Sequence, residues 1–267
     1  MESQSQGARP ESVRVTMLGS GTSMGVPSLG CGCRVCRSQD PRDNRTRPSL
    51  LISAYGRNIL IDTSPDFRQQ ALRAGIARLD AVLYTHGHAD HILGLDDIRP
   101  FNMKQMGSVP LYANGQTLAI LTRTFAYIFD DAPTLSSVPA VELREISGPF
   151  EAAGVMFQPI PARHGYMDVL GFRFGRAAYL TDFSEIPATS MELLRGLDDL
   201  ILDALRDRPH PMHSTVANSL EIVRLVAPRR AWFTHISHDL PHEETNARLP
   251  ANVRMGYDGL TFQVALA

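Results

Sequence analysis

The sequence has few cysteines, no long apolar runs and little net charge, and each shortage argues against a class of protein. Three cysteines among 267 residues are too few for a small secreted scaffold held by disulfides. No apolar run approaches the ~20 residues that a membrane span needs. A formal net charge of -2 and a pI near 6.5 indicate no broad basic surface for nucleic acid, although they do not exclude a local basic patch. We therefore expect neither a membrane nor a nucleic acid as a partner.

The remaining composition is typical of an ordinary globular chain. Hydrophobic residues make up 43% and charged residues 20%, and no linker, repeat or low-complexity run interrupts the sequence. We predict a single domain over residues 12–267 and a disordered tail over the polar residues 1–11. Because no signal peptide is recognisable, the expected location is cytoplasmic. The pattern leaves the oligomeric state open, a homodimer included.

Apolar periodicity predicts a chain that alternates between strands and helices. The predicted strands cover residues 13–18, 50–54, 58–61, 81–85, 109–113, 155–160, 171–174, 178–181, 200–203 and 231–234. The predicted helices cover residues 65–74, 116–127, 190–194 and 215–226. This order favours the α/β class.

The most informative segment follows the fourth predicted strand, where His86, His88, Asp90 and His91 occur within six residues. Side chains two apart in an extended backbone point the same way, so His86 and His88 can share one ion and Asp90 and His91 can hold a second. Imidazole and carboxylate are the usual ligands of catalytic zinc and related divalent metals. A single histidine at a strand end is more often a hydrogen-bonded structural residue, but four potential ligands at this spacing favour a metal site.

Three further candidate ligands each end an apolar, strand-like run. His164 follows residues 155–163, Asp182 follows residues 177–181 and His235 follows residues 230–234. Functional side chains are often carried by the loops at strand ends. We therefore expect all three to join the first cluster.

This pattern resembles that of metallo-β-lactamase-fold hydrolases, which have an HxHxDH segment followed by His, Asp and His in the order seen here. The resemblance implies a four-layer αββα sandwich of the α/β class. It also implies two divalent metal ions, zinc or manganese. His86, His88 and His164 would bind the first ion, and Asp90, His91 and His235 the second. Asp182 would bridge both ions, and Asp90 is also predicted to be a catalytic residue.

Four more segments are similar to the PhnP-like group within these hydrolases, which includes a cyclic phosphodiesterase of phosphonate degradation. They are the glycine-rich residues 19–27, the CxCxxC segment at residues 31–36, the THxSH segment at residues 234–238 and the GYDG segment at residues 256–259. The resemblance implies a phosphodiesterase whose small substrate is a cyclic or nucleotide-like phosphodiester. Arg206 stands where the phosphonate-pathway enzyme carries a histidine, so the sugar phosphate itself stays open.

The three cysteines lie together at Cys31, Cys33 and Cys36. An odd count, this spacing and a reducing compartment favour thiolate ligation of a structural zinc, which needs four tetrahedral ligands. The PhnP-like pattern supplies the fourth ligand from His238. The alternative is a set of free thiols in a mobile glycine-rich loop. A closed tetrahedral site would have no catalytic role, because it leaves no position for substrate.

The resemblance also suggests how a phosphodiester would be cleaved. Two divalent ions can hold a hydroxide between them at neutral pH, and this hydroxide would attack phosphorus. His213 matches a histidine near the leaving group and is the proposed general acid. Its alternative is an exposed neighbour of Ser214, which would cap the next helix.

Three other polar residues keep two interpretations each. Asp62 either supports the metal site, as the resemblance implies, or is a helix N-cap. Arg99 either contacts an anionic substrate group or forms a surface ion pair with a neighbouring aspartate, which is the favoured interpretation. His210 has the weaker claim to a site and is expected to be solvated.

The leading hypothesis is thus a metal-dependent phosphodiesterase. One alternative is a tRNA 3′-end processing endonuclease, whose family shares the ligand set but usually carries a protruding basic arm that this sequence lacks. Another is a metal-binding accessory protein of cofactor biosynthesis that does not hydrolyse anything. Non-catalytic relatives tend to lose active-site ligands, and here all seven positions are filled.

Overall fold

The computed structural model describes residues 11–130 and 137–267, and the strands in these ranges form two mixed sheets of seven strands each. The first sheet contains β1 (Ser12–Gly19), β2 (Ser49–Ala54), β3 (Arg57–Ile61), β4 (Ala81–Leu83), β5 (Val109–Ala113), β6 (Val141–Glu145) and β14 (Thr261–Ala265). Their order across the sheet is β14-β1-β2-β3-β4-β5-β6. Strands β3 to β6 run parallel to one another.

The second sheet contains β7 (Phe150–Ala152), β8 (Val155–His164), β9 (Met167–Phe174), β10 (Ala177–Leu180), β11 (Asp199–Asp203), β12 (Arg230–Thr234) and β13 (Val253–Met255). Their order is β13-β12-β11-β10-β9-β8-β7. Strands β10 to β13 are parallel, and β7, β8 and β9 are joined as antiparallel pairs.

The helices are α1 (Phe67–Ala74), α2 (Ala89–Ile92), α3 (Arg99–Gln105), α4 (Gly115–Thr124), α5 (Ala126–Phe129), α6 (Ala188–Glu192), α7 (Val216–Val226) and α8 (His242–Arg248). Short 3-10 turns lie at Pro41–Asp43 and Leu95–Ile98. Among the described residues, no helix combines the length and the apolarity needed to span a membrane.

Three apolar clusters hold the layers together. The first lies between the two sheets and includes Val15, Ile52 and Phe172. The second packs the outer face of the second sheet against helices that include α7, and the third packs the first sheet against helices that include α1. The predicted αββα sandwich is therefore confirmed, and burial of these apolar surfaces is the main force that stabilises it.

Each of the ten predicted strands is present, but β6, β7, β13 and β14 were missed. Strand β6 is largely exposed and has the sequence VELRE, in which two apolar residues are too few to distinguish a strand from a loop. The predicted helix over residues 116–127 is interrupted at Phe125, which separates α4 from α5. Of the predicted tail, residues 1–10 lie outside the described residues. Glu11, the last residue of the predicted tail, is instead bonded to the fold: its carbonyl accepts a hydrogen bond from the Leu266 amide (2.9 Å).

Candidate metal centre

The loop between β4 and α2 carries the first part of the centre. The His86 imidazole is fully buried, and its Nε2 lies 3.0 Å from Nδ1 of His88 and 3.9 Å from Oδ2 of Asp182. His164, the last residue of β8, faces the same point: donor atoms of His86, His88, His164 and Asp182 all lie within 4.8 Å of one another. The structure thus brings together the side chains predicted to hold the first ion.

The second part of the centre lies on the other side of Asp182. Nε2 of His91 is 3.2 Å from Oδ2 of Asp90 and 3.4 Å from Oδ1 of Asp182. Nε2 of His235 lies 3.2 Å from Oδ2 of Asp182 and 3.7 Å from Oδ2 of Asp90. Asp182 belongs to both groups, as a bridging ligand must. Whether these seven side chains bind metal stays a prediction.

Strand ends deliver these ligands to one edge of the sandwich. His164 ends β8, and Asp182 and His235 lie just beyond β10 and β12. Asp182 and His235 have positive φ angles of 54° and 56°, a region that costs a non-glycine residue free energy. The surrounding structure therefore holds these two side chains in place at the expense of backbone strain.

Asp62, which directly follows β3, supports the histidines from behind. It is fully buried, and its Oδ2 accepts hydrogen bonds from Nδ1 of His91 (2.8 Å) and from the Thr85 hydroxyl (2.8 Å). The Thr85 hydroxyl in turn lies 3.0 Å from Nδ1 of His86. These contacts leave Nε2 of both imidazoles directed into the centre. The N-cap interpretation of Asp62 is wrong, because α1 begins at Phe67 and its N-cap is Asp66.

The two halves of the centre differ in what shifts the pKa of their histidines. Burial lowers the pKa of His86 well below 6.5 and that of His164 to about 4. Burial would also lower the pKa of His235, but the Asp182 and Asp90 carboxylates outweigh it and raise the value to about 9. The same carboxylates raise the pKa of His91 well above 6.5. Burial therefore dominates the pKa shifts in the first half of the centre, and the charge of the carboxylates dominates those in the second.

Unpartnered buried atoms show that the centre suits a cation. Among the described residues, Oδ2 of Asp90 and Nε2 of His91 and His235 are buried without a hydrogen-bond partner. A buried polar atom without a partner costs free energy. A divalent cation would coordinate these converging atoms and so satisfy them. The donor set of imidazoles and carboxylates therefore fits zinc, manganese or a similar ion.

A histidine and an aspartate border this centre as a hydrogen-bonded pair. Nδ1 of His213 lies 3.0 Å from Oδ2 of the fully buried Asp203. The His213 ring lies 4.6 Å from those of both His164 and His235, between ring centroids. The interpretation of Ser214 as the helix cap, with His213 as its exposed neighbour, is wrong. The N-cap of α7 is Thr215, whose hydroxyl accepts a hydrogen bond from the Asn218 amide. Asp203 was missed, although like the other candidates it ends an apolar strand.

The cysteine segment and the THxSH loop meet at a second cluster. Nδ1 of His238 lies 3.3 Å from Sγ of Cys31 and 3.4 Å from Sγ of Cys33 and of Cys36. Tetrahedral zinc with ordinary bond lengths holds sulfur and nitrogen ligands about 3.5 Å apart. The fourth ligand inferred from the resemblance is therefore at the right place, and the four donors fit a closed tetrahedral site.

A buried arginine joins the two loops that form this second cluster. The Arg45 side chain has 0% exposure and forms an ion pair with Asp43 at 2.8 Å. Its guanidinium also donates to the carbonyls of Ser237 (2.9 Å) and Leu240 (2.8 Å), on either side of His238. Asp258 of the GYDG segment binds the glycine-rich loop in a similar way, because its carboxylate accepts from the amide and hydroxyl of Ser20.

The remaining polar candidates lie as follows. Arg99 forms the favoured surface ion pair, with Asp96 at 3.3 Å, so nothing directs it to the centre. His210 is half-buried rather than merely solvated, since its ring lies 5.1 Å from that of His213 and its Nδ1 accepts from the Met212 amide (3.2 Å). Arg206 is in the same loop as His213.

Comparison with known proteins identifies the family. The model of the beta-lactamase superfamily domain matches residues 57–236. A solved structure described as a new diphosphatase from the PhnP family is 52% identical, covers 96% of this chain and 100% of its own, and superposes with a TM-score of 0.89. The chain belongs to the PhnP family of metallo-β-lactamase-fold proteins. The predicted family resemblance is confirmed.

Two curated relatives match this PhnP-family protein less completely. The octanoyltransferase of Porphyromonas gingivalis is 42% identical over 253 residues, which is 93% of the PhnP-family chain but 51% of the relative. Coenzyme PQQ synthesis protein B of Rhodopseudomonas palustris is 39% identical over 122 residues, 41% of the chain and 38% of the relative. The chain thus spans about half the length or less of these curated relatives.

Proposed function

We propose that this PhnP-family protein is a binuclear metal-dependent hydrolase of small phosphodiesters or diphosphates. The observation that carries the proposal is Asp182 shared between two groups of donors, with the His213–Asp203 pair beside them. The 52% identical relative described as a diphosphatase supports phosphorus chemistry. Zinc or manganese suits both groups, because each is built from imidazole and carboxylate.

Two divalent cations in this centre would lower the pKa of a water molecule between them and so make it a nucleophile at neutral pH. The protein residues prepare the site for this chemistry. Asp62 and Thr85 fix the ring orientations of His86 and His91. The Met212 carbonyl accepts from Nδ1 of His164 at 2.7 Å, which leaves Nε2 of that ring directed into the centre.

His213 would supply the proton that the leaving oxygen needs. Because its Nδ1 is engaged by the Asp203 carboxylate, Nε2 is the nitrogen available to carry and donate a proton. The hydrogen bond to Asp203 holds the orientation of the ring. The His213 side chain is 11% exposed, so a substrate bound at the centre would be able to contact it.

The cysteine cluster would hold a structural zinc through Cys31, Cys33, Cys36 and His238. His235 and His238 then serve different ions from one short loop. We propose that the zinc stabilises this loop and has no part in turnover, because four protein ligands leave no position for substrate.

Metal analysis and a substrate panel test the proposal. Purified protein should contain close to three divalent ions per chain, and should hydrolyse bis(p-nitrophenyl) phosphate, a ribose cyclic phosphate or a dinucleoside diphosphate in a chelator-sensitive manner. Hydrolysis of precursor tRNA alone would instead favour the tRNA-processing alternative. A metal-loaded protein that turns over none of these compounds would favour the accessory role, which the partial likeness to the PQQ synthesis protein suggests.

A further inference from the structure

An exposed tyrosine follows the predicted metal ligand His164 by two residues. Gly165 and Tyr166 form the two-residue turn between β8 and β9, whose ends pair through His164 and Met167. Tyr166 is fully exposed, at 101%, although it is only two residues from the predicted metal ligand His164. A ring that buries no surface adds nothing to the stability of the fold. It is therefore free to contact a ligand.

The turn that carries Tyr166 is held firmly against the loop over residues 206–213. The Gly165 amide donates to the Ser184 hydroxyl at 3.0 Å, and Nδ1 of His164 donates to the Met212 carbonyl at 2.7 Å. Gly165 has a φ of +59°, and a Cβ there would collide with the sulfur of Met212. The backbone at Tyr166 is thus positioned by contacts on both sides, as a recognition residue requires.

The same loop supplies an unpaired cation. The Arg206 guanidinium donates to the carbonyls of Arg208 (3.2 Å) and Pro209 (3.1 Å). Within residues 11–130 and 137–267 no carboxylate pairs with it, whereas Arg208 pairs with Asp239 at 2.9 Å. Arg206 is close enough to His210 to help lower its pKa, after burial and the charge of His213. The Tyr166 turn is thus linked through Met212 to His210 by packing and a hydrogen bond, and His210 interacts with the charge of Arg206.

We propose that Tyr166 and Arg206 form a specificity subsite beyond the scissile phosphate, in which Arg206 binds a second phosphate and Tyr166 stacks on an aromatic base. The subsite deepens the proposed function and rests on it. A guanidinium matches the oxygens of a phosphate in a bidentate manner, and an aromatic side chain stacks on any base. The substrate class is accordingly a nucleotide-like diphosphate rather than a plain cyclic sugar phosphate.

Tyrosine variants test the base contact. With diadenosine diphosphate, which presents a base at either end, Tyr166→Ala should raise KM roughly tenfold, a change typical of losing one stacked base. Tyr166→Phe should keep the wild-type KM, and both variants should hydrolyse a ribose cyclic phosphate as the wild type does. An unchanged KM of Tyr166→Ala for diadenosine diphosphate would reject the stacking role. Because the Tyr166 side chain is fully exposed, the variants should melt at the wild-type temperature.

Arginine variants test the phosphate contact. Arg206→Gln should raise KM for diadenosine diphosphate roughly tenfold and leave KM for the ribose cyclic phosphate unchanged. Arg208→Gln is the matched control from the same loop and should leave both values unchanged. An equal rise in KM for the two substrates would reject the second-phosphate contact, and so would an unchanged KM for diadenosine diphosphate. Wild-type protein that hydrolyses neither compound rejects the proposed function and the subsite together, whereas active protein with unaffected variants rejects the subsite alone.

Discussion

The two ligand clusters of this protein share the loop after β12 but are built in different ways. The His/Asp centre collects side chains from the ends of several strands, in both sheets, and all of them except the half-buried His88 are buried. The Cys/His cluster takes three ligands from residues 31–36 and one, His238, from the shared loop, and all four are partly exposed. His235 and His238 lie three residues apart and point to different clusters. Tertiary structure thus assembles the first cluster, and local spacing largely assembles the second.

The two clusters also differ in the pKa values of their ligand groups. In the His/Asp centre, carboxylates raise the pKa of His91 and His235. In the cysteine cluster, a hydrogen bond from the Cys36 amide lowers the pKa of Cys33 to about 6, and burial raises that of Cys36 to about 11. The first cluster has an adjacent acid–base pair, His213 and Asp203, while four protein ligands would close the second around its ion. We therefore expect substitutions at the first cluster to lower turnover and substitutions around the second to lower stability.

The largest effect should come from Asp182→Asn, which removes the charge shared by both halves of the centre. Turnover should fall by more than about a hundredfold, the upper range for residues that merely support a ligand. Two fewer divalent ions per chain should be found by metal analysis, with the cysteine-bound ion retained. Asp198→Asn, at the opposite end of the second sheet, is the control. Loss of all three ions would contradict the prediction that the two clusters bind their ions independently.

His213→Ala should slow turnover by about a hundredfold or more, the usual contribution of a general acid. The metal content should not change, because His213 is not a predicted ligand. The loss should be greatest for substrates with poor leaving groups, and Asp203→Asn should show the same dependence with a smaller loss. An equal loss for good and poor leaving groups, in a series of aryl phosphodiesters, would remove the proposed acid role.

Arg45→Met should destabilise the loops around the cysteine cluster. The substitution leaves the Asp43 carboxylate without its charged partner, and breaking a buried ion pair costs about 3–5 kcal/mol of unfolding free energy. Urea unfolding would measure the change, and Asp43→Asn in the same chain should restore part of it. A loss below about 1 kcal/mol, the scale of a surface pair, would mean that this pair does not organise the loops.

The smallest effect should be a change in pH dependence near the same loops. Burial, with help from Arg42 and Arg45, lowers the pKa of His242 to about 4, against about 6.5 in an unfolded chain. The unfolded state therefore binds more protons between these values, and stability is lost as pH falls from about 6.5 towards 4. His242→Gln should remove up to about 2 kcal/mol of this loss. Melting experiments between pH 7 and 4.5 would measure the change in stability. If the wild type and the variant lose the same stability over this range, the lowered pKa of His242 is contradicted.

Much of the candidate site could be predicted from the sequence, because the residues that follow the strands lie together at one edge of such a sandwich. The grouping of His86 with His164 and of His91 with His235 came from the family resemblance, and the structure brings both groups together. Asp203 was overlooked because a carboxylate at a strand end has no partner visible in sequence. Its role emerges only when β11 and the loop before α7 place it 3.0 Å from His213.

By itself the sequence determined the fold class, most strands and the residue types able to bind metal, because periodicity and ligand spacing are local properties. Only the tertiary structure decided that Asp62 supports two histidines, that Arg45 joins two distant loops and that Tyr166 remains exposed beside the centre. These features depend on burial and on contacts between residues far apart in the chain. Hydrogen bonds and charge interactions act over a few ångströms, and the three-dimensional packing sets those distances.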